Sequence, residues 1–132
     1  MSVVRSVIRS LIRSQLADVP AYITRDGSSI RELMHPAVQG NAKQSLAEAC
    51  VPVGGATLLH RHIESEELYH VIGGSGRMTL GDEEFTIAPG DSILIPPGTT
   101  HCLRNTGDEP LRLLCCCSPP YRHEDTEISE SG

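Results

Sequence analysis

From Tyr22 onward, apolar residues come in short runs that stop at Gly, Pro, Asp or Asn. The runs cover 22–25, 30–34, 46–51, 57–62, 67–72, 76–80, 84–87, 92–95, 101–105 and 111–117. Strands of four to seven residues divided by turn residues at this spacing predict an all-β sandwich or barrel. Gly81-Asp82 and Gly107-Asp108 suit hairpin turns. Side chains alternate along a strand, so Glu67, Tyr69 and Val71 share one face of their run. In the last run, if Leu111 and Leu113 face inward, so do Cys115 and Cys117. After Pro119-Pro120 the chain is polar and short, and reads as a terminal helical turn or a frayed tail.

The first residues follow a different rule. Val3-Val4-Arg5-Ser6, Val7-Ile8-Arg9-Ser10 and Leu11-Ile12-Arg13-Ser14 repeat an apolar-apolar-Arg-Ser unit. A period of four lies close to the helical 3.6, so the segment predicts a short helical or extended arm packing on the domain or on a second subunit. Arg-rich, Ser-rich and acid-poor sequence also fits a transit peptide or a membrane-surface helix. The expected organisation is therefore an arm over 1–20, a β-barrel over 21–120 and a tail over 121–132.

Composition narrows the function. Lys+Arg 11 against Asp+Glu 17 gives a formal charge of -6, and aromatics are 3% of residues, so neither an electrostatic footprint nor a stacking platform for nucleic acid is expected. No apolar run approaches a membrane span, and no membrane partner is expected. Five cysteines, an odd number without a C-x-x-C pair, argue against a disulfide framework or zinc ribbon and point to a reducing, cytoplasmic setting.

Candidate chemistry sits in the middle of the chain. His60 and His62 are two residues apart, which on a strand places both imidazoles on one face. Glu66 and Glu67 open the next run, and His101 opens another after the rigid turn Pro96-Pro97-Gly98. Imidazoles with one carboxylate are a ligand set for a divalent transition ion such as Fe, Mn, Co, Ni or Zn. Four protein ligands on a six-coordinate ion leave positions for substrate, as in a catalytic site.

These residues resemble the cupin superfamily. Its first motif, G-x5-H-x-H-x(3,4)-E-x6-G, is met by Gly54, His60, His62, Glu67 and Gly74, or with the shorter gap by Glu66 and Gly73. Its second, G-x5-P-x-G-x2-H-x3-N, is met by Gly90, Pro96, Gly98, His101 and Asn105. Chance would produce the second pattern on the order of once per million starting positions, so composition alone does not explain it. The resemblance covers roughly 44–120. It implies a double-stranded β-helix, a jelly-roll barrel, holding one divalent metal per chain on His60, His62, Glu67 and His101. Glu67 is preferred to Glu66 because it shares a face with Val71.

The resemblance also implies a small metalloenzyme of dioxygenase or isomerase/lyase type acting on a small polar molecule, or else a module that binds such a ligand without turnover. Tyr69, on the face of Glu67, is the candidate catalytic residue, with a packing role in the barrel wall as its alternative. Cys115 and Cys117 could tune a metal or pack as small buried hydrophobes. His70 reads as structural, and His35 and His123 as solvated. Exposed edge strands and the N-terminal arm predict a homodimer.

Overall fold

The computed structural model describes residues 11–129. Most of the Arg-Ser repeat therefore lies outside the described residues. From Leu11 the arm has no regular element except one 3-10 turn at Leu16–Asp18. Eleven strands follow: β1 (Tyr22–Ile23), β2 (Ser29–Met34), β3 (Ser45–Val51), β4 (His60–His62), β5 (Glu66–Gly73), β6 (Gly76–Leu80), β7 (Glu83–Ile87), β8 (Ser92–Ile95), β9 (His101–Asn105), β10 (Leu111–Ser118) and β11 (Thr126–Ile128). They form two antiparallel sheets, ordered β1-β2-β3-β10-β5-β8 and β11-β4-β9-β6-β7. This is the all-β jelly-roll architecture expected from the run spacing.

The predicted alternation decides which side chains enter the barrel. Along β5, Glu67, Tyr69 and Val71 are buried while Glu66, Leu68 and His70 are exposed. Along β10, Leu111, Leu113, Cys115 and Cys117 are buried. Strand register arranges these residues in rows across the sheet. Ile30, Ala49, Leu113 and Val71 form an apolar row. The next is Ala47, Cys115, Tyr69 and Ile93, and the last is Ser45, Cys117, Glu67 and Ile95. Side chains on β3 and β10 become smaller or more polar from row to row, so the barrel is packed solid at one end and hollow at the other. Met78, Leu103 and Ile87 of the second sheet close the packed end with Leu111 and Val51.

Two turns illustrate how local chemistry sets topology. Gly81-Asp82 joins β6 to β7 as a two-residue hairpin, as predicted. Gly107-Asp108 does not make a hairpin, because β9 and β10 belong to different sheets and the segment crosses between them. Asn105 fixes that crossing: its amide donates to the carbonyls of Val51 and Glu109, and its side-chain oxygen accepts from Gly107 N. Gly74, at φ +77, could not carry a side chain, since a Cβ there would lie 2.4 Å from Pro110 O.

The C-terminal segment makes the helical turn that was one of its two expectations, and then continues into a strand that was not expected. A 3-10 turn at His123–Asp125 leads into β11, which pairs with β4 through Thr126↔His62 and Ile128↔His60. Asp125 is buried and its two carboxylate oxygens accept from the backbone amides of Glu64 and Ser65. The segment thus extends the sheet instead of fraying. Its polar sequence conceals this because a three-residue edge strand needs little apolar surface of its own.

Candidate metal centre

Each of the three imidazoles is held by its Nδ1 atom. His60 Nδ1 lies 2.8 Å from Leu58 O, and His101 Nδ1 lies 2.9 Å from Thr99 O. A carbonyl oxygen only accepts, so both Nδ1 atoms carry the proton and both Nε2 atoms carry a lone pair in the neutral ring. His62 Nδ1 lies 3.1 Å from Thr126 Oγ1, whose own proton goes to Arg122 O. Thr126 therefore accepts from His62, and the third Nε2 is free as well. The ligand atoms of these three histidines lie within 4.8 Å of one another, all on buried residues. Strands β4 and β9 bring them together through the register pair His60↔His101.

Glu67 meets them from the opposite sheet. Its Oε1 is 3.1 Å from His62 Nε2 and 3.5 Å from His101 Nε2. Its Oε2 accepts from the Cys117 thiol at 3.4 Å, across the register pair Cys117↔Glu67. Glu66 faces solvent, as the alternation requires. Glu67 Oε1 and His101 Nε2 are buried without a hydrogen-bond partner. Buried polar atoms are normally satisfied, and a lone pair facing a carboxylate oxygen calls for a positive charge between them. Ligands about 2.0–2.2 Å from one ion lie roughly 3.0–3.4 Å apart in adjacent positions. The contacts of Glu67 with His62 and His101 match that spacing, so the residues fit a divalent ion.

The electrostatics of the metal-free site follow from the same contacts. Burial, reinforced by the neighbouring His101, pushes His60 down to about 4. Burial also disfavours a charged His62, but the Glu67 carboxylate outweighs it and the net direction is upward. Burial alone would raise Glu67, yet the close approach of His101 and His62 holds it well below the usual carboxylate range. Tyr69 and Cys115 are driven well above their ordinary values by burial first and by Glu67 second. Both stay protonated at neutral pH and can donate a hydrogen bond but not accept a proton.

A pocket partly open to solvent adjoins these residues. His60, His62, Glu67 and Tyr69 line it, with Cys115 and Cys117 on the β10 wall. The Tyr69 ring stands edge-on to His101, with centroids 5.9 Å apart. The remaining histidines lie elsewhere. His70 is exposed and paired with Ser92 Oγ at 2.8 Å. His35, expected in solvent, is half-buried with Nε2 2.8 Å from Tyr121 O.

Several wall residues escaped the sequence reading. Asp26, from the turn between β1 and β2, places Oδ2 3.3 Å from His60 Nε2. Thr126 orients His62, and Tyr121 stands edge-on to the same ring at 5.8 Å. The only sequence signal for Asp26 was the Asp-Gly turn, which marks a bend without saying what the carboxylate faces.

The cupin domain family matches residues 47–117, more than half of the chain. The protein is a cupin. Over 119 residues this cupin is 55% identical to an uncharacterized protein of Methanocaldococcus jannaschii, covering 90% of this chain and 95% of that protein. It is 33% identical over 118 residues to protein SchB of Streptomyces halstedii, covering 86% of this chain and 85% of SchB. Among solved structures it resembles the polyketide cyclase RemF of Streptomyces resistomycificus, at 28% identity and a TM-score of 0.74, over 92% of this chain and 89% of RemF. Asp26, Tyr121 and Thr126 all lie outside the family match. No helix among the described residues is long and apolar enough to cross a membrane.

Proposed function

We propose that this cupin is a metal-dependent enzyme of isomerase or lyase type that acts on a small polar carbonyl compound, with His60, His62, Glu67 and His101 as ligands. The observation that carries this reading is the cluster of three buried imidazoles, two of them facing a buried Glu67 oxygen that has no partner. A divalent ion held by these four residues would supply Lewis acidity at a carbonyl oxygen. The chain's own residues do the rest. Leu58 O, Thr99 O and Thr126 Oγ1 fix the tautomers, so the rings need no reorganisation. Tyr69, which lines the pocket and stays protonated, would donate a hydrogen bond to a substrate oxygen. The apolar side of the pocket, from Ile30, Ala47, Ala49 and Leu103, excludes water.

The likeness to RemF, a polyketide cyclase, supports an enzymatic role for this site. A homodimer is part of the proposal. Strand β8 is a sheet edge, and Leu68 and Leu94, paired across β5 and β8, project exposed on the outer face.

The test starts with metal analysis of anaerobically purified protein. Close to one transition metal per chain is expected, and His62→Ala and His101→Ala each lose most of it; unchanged metal in both variants refutes the ligand assignment. A panel of keto acids, catechols and sugar phosphates then separates the chemistries. Substrate loss without oxygen uptake, with Tyr69→Phe lowering kcat at full metal content, is the expected outcome. Oxygen uptake would make the enzyme a dioxygenase. Thermal stabilisation by a ligand without turnover would make it a binding module.

A further inference from the structure

The turn between β1 and β2 lies outside the family match, yet it delivers a carboxylate to the same centre. Asp26 is built in place. Its Oδ1 accepts from Thr24 Oγ1 at 2.7 Å, from Ser28 N at 2.9 Å and from Ser28 Oγ at 2.7 Å. Its backbone carbonyl accepts from Leu58 N at 2.7 Å. Leu58 is also the residue whose carbonyl holds His60 Nδ1. One residue therefore fastens both the Asp26 backbone and the His60 ring, and their relative position is fixed from two sides.

With Oδ1 saturated, Oδ2 is left, 3.3 Å from His60 Nε2, on a side chain only 13% exposed. The proton of the neutral His60 ring is on Nδ1, so Nε2 presents a lone pair to this oxygen. Two acceptors facing each other at that distance repel unless a cation lies between them. The separation equals that of adjacent ligands on one ion and matches the Glu67 contacts with His62 and His101. Glu67 closes the His62 and His101 side of the cluster; Asp26 closes the His60 side.

We infer that Asp26 is a fifth protein ligand, so that this chain's site is three imidazoles and two carboxylates. The inference rests on the four-ligand reading above and adds a residue to it. Two carboxylates balance the charge of a divalent ion and leave a single position on a six-coordinate ion for substrate. Such a mixed nitrogen and oxygen donor set suits first-row divalent ions such as Mn(II), Fe(II), Co(II) and Zn(II), with geometry and supply choosing among them.

The test uses full-length protein stripped with chelator. Co(II) is titrated into wild type, Asp26→Ala, Asp26→Asn and His62→Ala in competition with a chromophoric chelator, and the visible spectrum and metal-free melting temperature are recorded for each. Wild type should bind one Co(II) per chain and His62→Ala should lose it. Asp26→Ala should weaken affinity by roughly tenfold or more and intensify the visible bands, because a lower coordination number makes them stronger. Asp26→Asn keeps an oxygen for the turn, guards against a folding failure, and should fall between the two. If both Asp26 variants keep wild-type affinity and spectrum while His62→Ala loses the ion, Asp26 is no ligand and the four-ligand site stands. A lower metal-free melting temperature with unchanged affinity likewise confines Asp26 to the turn and overturns the inference. Failure of wild type to bind Co(II) overturns both readings.

Discussion

Adjacent histidines on one short strand titrate in opposite directions in the metal-free protein, and the effect on stability can be worked out. His60 is 2% exposed, and burial followed by the charge of His101 lowers it from 6.5 to about 4. Between those values the unfolded chain binds a proton that the folded chain does not, so stability falls as pH falls through this window. The full displacement is worth about 3 kcal/mol, and about 2.5 kcal/mol of it is lost by pH 4.5. His62 moves the other way. Its pKa is raised when folded, so its contribution is complete below 6.5 and is lost as pH rises through the folded value. Glu67, held low, contributes above 4.5 and loses that contribution as pH drops further. Stability of the stripped protein should therefore peak near pH 6.5. Urea unfolding between pH 4.5 and 8 measures this, with His60→Asn as the comparison. Wild type should lose about 2 kcal/mol more than the variant between pH 6.5 and 4.5. Parallel curves for the two proteins would refute the assignment of a buried, neutral His60.

Thr126→Val keeps the shape of the side chain but removes the acceptor for His62 Nδ1; metal affinity should drop by roughly tenfold or more in a chelator competition, with wild-type affinity refuting the orienting role. Gly74→Ala forces a Cβ to 2.4 Å from Pro110 O at φ +77 and should cost at least about 2 kcal/mol in urea unfolding. Metal affinity should weaken from pH 7 to pH 5 as protons compete for the imidazoles, and a flat profile would argue against histidine ligation. Light scattering should give the mass of a dimer that Leu94→Lys shifts to monomer; a monomeric wild type removes the dimer from the proposal.

The barrel was legible because period-two alternation is a direct record of facing. Glu67, Tyr69 and Val71 on β5, and Leu111 to Cys117 on β10, could be assigned to the interior from spacing alone. The two motifs placed His60 and His62 on one short strand and His101 at the start of another, and register pairs the two strands through His60 and His101. What stayed hidden depends on pairing over long separations. Thr126-Glu127-Ile128 has no apolar run, and its strand exists only because β4 offers an open edge. Gly107-Asp108 marks a bend but not which sheet the chain joins next. Asp26 reads as an ordinary turn residue until β2 and Leu58 fold it back over His60.

Both flanks of the matched segment line the pocket, through Thr24, Asp26 and Ser28 on one side and Tyr121 and Thr126 on the other, and they meet where Arg25 donates to His123 O and Tyr22 stands edge-on to the His123 ring. The histidines and Glu67 thus come from the matched segment, while its two flanks add wall residues together with two that bear on the metal, Asp26 and Thr126. Descendants of this barrel could exchange the other wall positions, and with them the choice of what is admitted, while leaving the grip untouched. An engineer seeking new selectivity should therefore diversify Tyr121 and its neighbours in the flanks, sparing Thr24, Asp26, Ser28 and Thr126, before altering anything on β4, β5 or β9.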